Sequence, residues 1–431
     1  MKSLNREIDL YLLLLCAINL LIIGNNIQNG YLAPILTGII LILALSKKVI
    51  SPLIPSASYF MLAIGVEFSQ GNARITNGSS LGNLLPEYLH IQSLNLFYLA
   101  SSCMAISVIG FKPTEVQKFT FNLEIFTARR KQFAVFVTIN FFLFLFSIDF
   151  HSIFFRNSHL VTFRFPVAGR FFSSMVLINI VLLTFLIIKN KSFYRYFYIA
   201  MYLLHFLMQY ALSSRAMVIF PLTGFLVIPL VKSKFQKLFL GILSISISLL
   251  MNSLALALRG QVNQGLVNYL QINPFRNLPI TDSLNNLITS YDINGLSAFY
   301  VSSFPITDLL IELNPLPGNI AGWYEIADRH RINLYTPTAT LGELQNFGTG
   351  ILILYMLVVG FTLRLAESKI DFSNQIGQLK RTILYVGTTL FTLQSLQYSI
   401  RSSLRMLLYT FLLMSLISVF SNGVLSLGRK G

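Results

Sequence analysis

The chain is 431 residues long, 54% hydrophobic, 13% aromatic and 11% charged, where an ordinary soluble domain carries about 25% charged residues. With a mean hydropathy of +0.67, this composition excludes a soluble enzyme, a disordered chain and a fibrous protein, and fits a multispan membrane protein. The 32 Lys and Arg against 16 Asp and Glu give a net charge of +16. In a membrane chain such an excess reflects cytoplasmic loops, so no nucleic-acid partner is expected.

Twelve apolar stretches are candidate spans: 10–24, 31–46, 50–67, 91–110, 133–149, 171–188, 196–212, 216–231, 238–258, 347–363, 382–398 and 405–421. The first is followed by Asn25, Asn26, Gln28 and Asn29 with no small-x-small cleavage site, so it reads as a retained helix. Cys16 and Cys103 both sit in apolar runs, which predicts two packing residues and no disulfide framework. The expected fold is all-α: one polytopic membrane domain over 1–431, about twelve helices, and a large extracytoplasmic loop, 259–346, between spans nine and ten.

Basic residues set the direction. With Lys2 and Arg6 inside, the even-numbered connections and the C-terminus also fall inside, giving 21 basic and 6 acidic residues there against 11 basic and 10 acidic outside. All 14 lysines are then inside, and all 11 outer basic residues are arginines: Arg74, Arg156, Arg164, Arg170, Arg215, Arg259, Arg276, Arg329, Arg331, Arg401 and Arg405. One reading is that outer loops avoid Lys and pair their Arg with outer acids. The other is an outward-facing site for a large anion such as a phosphate or diphosphate, which a guanidinium grips with two parallel bonds. Arg170, Arg215, Arg259, Arg401 and Arg405 stand at span ends, where snorkelling and anion binding are the competing explanations. Arg401 and Arg405 are four apart and share a face if that stretch is helical.

The 88 residues of 259–346 contain no Lys, four Arg, seven acids, His330 and the only tryptophan, Trp323. Apolar positions over 281–304 follow helical spacing, with Pro279 and Asp282 near the start and Pro305 at the end. One or two amphipathic helices lying on the membrane face are expected. Asn314 to Asn319 is a turn-rich piece. Glu325, Asp328, Arg329, His330 and Arg331 then crowd into seven residues. They form either a solvated charge cluster or an acid–base histidine flanked by anion-holding arginines. Glu343 falls at the membrane boundary before the tenth span, as a general base or as an arginine partner. Trp323, Tyr324 and Tyr335 are interfacial anchors or sugar-stacking rings.

There is no GxxxxGK phosphate loop, no HExxH, no Cys/His cluster and no GxSxG elbow in the sequence. Neither metal nor cofactor is expected. Acids are nearly missing from span centres, which argues against a proton-coupled transporter.

Three stretches carry a family resemblance. Ser213–Ser214–Arg215–Ala216 resembles a small-residue–Arg turn at the outer end of a span, Leu258–Arg259–Gly260 resembles the Arg that opens a large outer loop, and Leu341–Gly342–Glu343–Leu344 through Gly350 resembles a Glu–Leu…Gly–x–x–Gly re-entry. With the overall architecture, the chain resembles the Wzy-type O-antigen and capsule repeat-unit polymerases, which are related to the O-antigen ligases. In that superfamily a His–Asn pair often precedes the last stretch; here the position reads Tyr335–Thr336–Pro337, and the nearest histidine is His330. The resemblance implies a glycosyltransferase of the bacterial inner membrane with both termini cytoplasmic. It would join polyprenyl-diphosphate-linked oligosaccharide units without metal or nucleotide, alongside a flippase and a chain-length regulator. On that reading Arg215 and Arg259 hold the leaving diphosphate, Arg170, Arg329, Arg331, Arg401 and Arg405 are candidates for substrate binding, and Glu343 and His330 are candidate bases. A lipid-linked oligosaccharide flippase and an O-antigen ligase are the alternatives.

Overall fold

A computed structural model describes all residues except 1, 25–31, 74–86, 111–123, 157–160, 228–230, 232, 272–290, 292, 299–302, 317, 332–337, 372–374 and 428–431. In chain order the helices are α1 (Lys2–Gly24), α2 (Leu32–Leu45), α3 (Leu53–Ala73), α4 (Glu87–Ile106), α5 (Glu124–Ala128), α6 (Arg130–Ser147), α7 (Phe150–Phe154), α8 (Pro166–Lys189) and α9 (Ser192–Ala211). A 3-10 turn (Arg215–Val218) leads to α10 (Ile219–Leu222), α11 (Gly224–Val227), α12 (Lys234–Arg259) and α13 (Leu266–Gln271). After these come α14 (Ile306–Leu313), α15 (Gly318–Ala321), α16 (Trp323–Ile326), α17 (Thr340–Asn346), α18 (Thr349–Ser368), α19 (Gln375–Gln397) and α20 (Ile400–Leu427). Among the described residues there is no β-strand, only isolated bridges at Ile148–Phe163 and Arg156–Gln264.

The fold is that of an all-α membrane protein. By length and composition Arg130–Ser147, Pro166–Lys189, Leu238–Arg259 and Thr349–Ser368 can each cross a bilayer, while Leu32–Leu45 and Leu53–Glu67 are shorter apolar helices. Ile42, Phe146 and Leu354 stand exposed on such helices, where lipid rather than water suits them. The stretch 216–231 is not one continuous helix over its described residues. It comprises the 3-10 turn, α10 with Pro221 inside it, and α11 beyond Thr223.

The chain forms two compact units, residues 1–117 with 285–431, and residues 118–284. In the first, α3 packs along α4, α18 along α4, and α19 along α20. Their core is Tyr59, Phe97, Met356, Leu363, Phe391 and Leu407 together with Leu341 and Leu344 of α17. Gly387 lets α19 approach α20 closely: a Cβ there would lie 1.9 Å from Thr410 Oγ1. In the second unit α8 packs on α6 and α9, and α12 on the 3-10 turn and α10.

Part of the segment 259–346 belongs to the first core. Of the expected helix 281–304, Tyr291 and 293–298 are described and helical. Tyr291, Asn294, Leu296 and Ser297 are buried, so this piece is packed inside the unit instead of lying on a membrane face. Asn294 fixes α17: its Oδ1 accepts from the N–H groups of Leu341 and Gly342, and its Nδ2 donates to Leu396 O. The Asn294 carbonyl would stand 2.2 Å from any Cβ at position 342, which requires glycine there.

At the start of α3 the buried Glu367 carboxylate accepts from Ile50 N at 3.0 Å, Ser51 N at 2.7 Å and Tyr385 Oη at 2.6 Å. This side chain from α18 takes up the N–H groups of the turn that leads into α3. Glu367→Ala strands both, and is expected to cost about 2–4 kcal/mol. A lowered thermal midpoint of the detergent-purified protein checks this; an unchanged midpoint contradicts the bracing role.

Candidate functional site

The sequence of α14, Ile–Thr–Asp–Leu–Leu–Ile–Glu–Leu, puts Asp308 and Glu312 four residues apart on one face. That face is turned inward: both acids are buried, while Ile306 and Leu310 are 59% and 72% exposed. The polarity is inverted relative to a helix on a water-soluble protein. The acids meet His330, which is 2% exposed and whose N–H bonds Ile326 O after α16.

His330 is held on every side. Its Nδ1 lies 2.6 Å from Glu343 Oε1 and its Nε2 lies 3.3 Å from Asp308 Oδ2. Glu312 Oε1 is 3.6 Å from Nδ1. Phe304 stacks on the ring, with centroids 3.9 Å apart and planes at 13°. The carboxylates are themselves oriented. Trp323 Nε1 donates to Glu312 Oε1 at 2.6 Å, Arg401 N to Glu312 Oε2 at 3.2 Å, and Ile400 N to Glu343 Oε2 at 2.7 Å. The last two donors are the first N–H groups of α20, so the positive end of that long helix dipole faces two acids. Arg329, half-exposed, donates through one Nη to both oxygens of Asp308 at 3.0 Å.

Burial, then the Glu343 charge, pushes the Glu312 carboxyl up to about 8. Burial alone would depress His330, but the Glu343 bond and the Glu312 and Asp308 carboxylates outweigh it and hold the imidazole above its ordinary value. The cluster thus sets the Arg329 guanidinium against Asp308 and an imidazole of raised pKa against Glu343, beside a Glu312 carboxyl that burial keeps from ionising readily.

Glu312, His330 and Glu343 offer ligand atoms that all lie within 4.8 Å of one another, the donor set of a small divalent cation. Each of these atoms already has a hydrogen-bond partner in this arrangement. We therefore read the cluster as a proton-sharing one.

The other candidate residues fall as follows. Arg401, also buried, donates through Nη1 to Ile311 O at 2.9 Å and through Nη2 to Leu316 O. Arg405 Nη2 donates to the same Leu316 carbonyl at 2.9 Å. These two guanidinium groups, one turn apart on α20, seat the loop after α14. Arg331 faces Asp328 at 3.8 Å on the surface. Arg215 and Arg259 belong to the 118–284 unit. Arg215 opens the 3-10 turn after the Ser214 N-cap, and Arg259 closes α12 with Nε on Ser213 O at 2.8 Å. Arg170 lies in the first turns of α8; the side chains of Arg170 and Arg215, and all of Arg74, Arg276, Tyr335 and Asp282, fall outside the described residues.

Sequence reasoning passed over Asp308, Glu312 and Asn294. The first two were legible as paired acids one helical turn apart in an otherwise apolar octet. Asn294 carries no local signal, since its partners lie about fifty and a hundred residues away.

Both shifts in the cluster run in one direction. A carboxyl and an imidazole whose folded pKa values exceed the unfolded ones contribute stability at low pH and lose it as pH rises. For Glu312 the loss runs from its ordinary 4.5 to about 8. The thermal midpoint should fall across that window, and Glu312→Gln should flatten the profile; an unaltered profile in the variant contradicts the protonated carboxyl. No family model matches the chain, and neither a curated protein nor a solved structure shows detectable similarity to it.

Proposed function

We propose that the chain is a membrane glycosyltransferase of the repeat-unit polymerase type, acting at the outer face of the bacterial cytoplasmic membrane with both termini inside. On this reading the helices form about twelve spans, and its substrates are polyprenyl-diphosphate-linked oligosaccharides presented from the lipid. The observation that carries the proposal is the meeting of His330 and Glu343. Each is a candidate base by sequence position, and they lie 2.6 Å apart in a buried cluster with Asp308 and Glu312.

In the reaction the anomeric C–O bond to the lipid diphosphate breaks as a new C–O bond forms to the terminal sugar hydroxyl of the next unit. The hydroxyl proton leaves to a carboxylate. The His330 ring bridges Asp308 and Glu343, so a proton received at either acid is shared along one hydrogen-bonded chain. Arg329 is the cluster's exposed edge. An anionic substrate that draws it off Asp308 opens the way to that carboxylate and to His330 Nε2. The leaving diphosphate gathers charge that needs fixed cations, the role of Arg215 and Arg259.

Removal of a general base costs about 10²- to 10⁴-fold in rate. In a deletion strain, wild type should restore a surface-polysaccharide ladder. Glu343→Gln and His330→Gln should leave core plus a single repeat unit while remaining expressed. Arg215→Lys and Arg259→Lys should also lose the ladder, because an ammonium cannot reproduce the bidentate grip. If deletion removes even the single capped unit, the polymerase reading fails and the flippase or ligase reading replaces it.

A further inference from the structure

The 118–284 unit contains a second polar knot, and its centre is Ser213. This residue has φ +47°, a left-handed conformation that a serine adopts only when its surroundings hold it there. Three side chains do so. Arg156 Nη2 donates to Ser213 Oγ at 2.8 Å, Tyr269 Oη lies 2.9 Å from the same oxygen, and Arg259 Nε donates to Ser213 O at 2.8 Å. Gln264 closes the knot: its Oε1 accepts from Arg156 Nη2 at 3.2 Å and its Nε2 donates to Arg259 O at 2.9 Å. The backbones of Arg156 and Gln264 also pair, N to O in both directions at 2.8 and 2.6 Å. Arg156, Ser213, Gln264 and Tyr269 are all buried.

We propose that Arg156 is a positioning residue for diphosphate binding. The inference rests on the polymerase reading above. Arg156 does not itself need to meet the substrate. It fixes Ser213 in the left-handed turn from which the 3-10 segment beginning at Arg215 departs, and on whose carbonyl the Arg259 guanidinium is seated. One buried arginine thereby sets the place of two others that grip the anion. The effect travels through a single backbone torsion, so it makes a specific genetic prediction. Glycine adopts positive φ without steric cost. With glycine at 213, the turn no longer depends on being clamped, and Arg156 becomes largely dispensable.

The test uses the full-length purified protein with inorganic diphosphate as probe, read by calorimetry and by thermal shift, alongside ladder synthesis in the deletion strain. Wild type and Ser213→Gly should bind diphosphate within about threefold of each other. Arg156→Gln should weaken binding at least tenfold, and the double variant Arg156→Gln/Ser213→Gly should recover to within about threefold of Ser213→Gly alone. Binding is compared only among variants whose thermal midpoints show them folded at the assay temperature, so that a tenfold loss in folded Arg156→Gln reports the anion site and not stability. If the double variant binds as poorly as Arg156→Gln, or if Arg156→Gln binds like wild type, the positioning role is wrong. If wild type itself neither binds diphosphate nor makes a ladder, the polymerase reading fails and takes this inference with it.

Discussion

The contact on which the segment from α14 to α17 depends is the imidazole of His330 between buried carboxylates. Glu343 on Nδ1 and Asp308 on Nε2 come from two helices, α17 and α14, and the histidine comes from the turn after α16. The acids in turn take the first N–H groups of α20. Three pieces of a loop and the last long helix therefore meet in one charge-balanced cluster. Such a cluster contributes less net stability than its short distances suggest, because each ion has been withdrawn from water. Its consequence lies in the asymmetry: removing one partner leaves the others buried and uncompensated, at about 3–5 kcal/mol.

The environment explains why acids can be inside and leucines outside. Along α14 the apolar side chains Ile306 and Leu310 are presented outward and the acids inward. Next to lipid or the interfacial region this arrangement is favourable, since the exterior solvent is the apolar one. The same logic runs through the first unit. Asn19 bonds Thr37 and Ser102, Ser56 bonds Ser101, and Tyr59 bonds Ser395, all in the interior between helices. Polar groups are spent on joining helices, and the apolar surface is left for the surroundings.

Composition and hydropathy made the all-α membrane character legible, because a bilayer imposes helix length and apolarity directly on the sequence. The limits came from effects that a linear pattern does not hold. The crowded charges at 325–331 admit a solvated face, and Arg331 with Asp328 behave that way, yet His330 within the same run is buried. Only the tertiary meeting with α14 and α17 separates them. The break within 216–231 carries no plain signal, since apolar residues stand on both sides of it. For Arg401 and Arg405 the sequence leaves snorkelling and anion binding open, and no spacing announces that their guanidinium groups sit on loop carbonyls.

The central claim, that carboxylates on both sides hold the His330 imidazole above its ordinary pKa, can be measured directly. The chain has five histidines, so the protein labelled with ¹⁵N-histidine gives few signals, and His330→Gln assigns the one of interest. We expect both ring nitrogens of His330 to remain protonated at about pH 7.5, where an unperturbed histidine is neutral. In Glu343→Gln the same ring should lose a proton at that pH. A His330 signal that shows one protonated and one bare nitrogen in the wild-type protein would contradict the charge arrangement on which the account of the loop and of its chemistry is built.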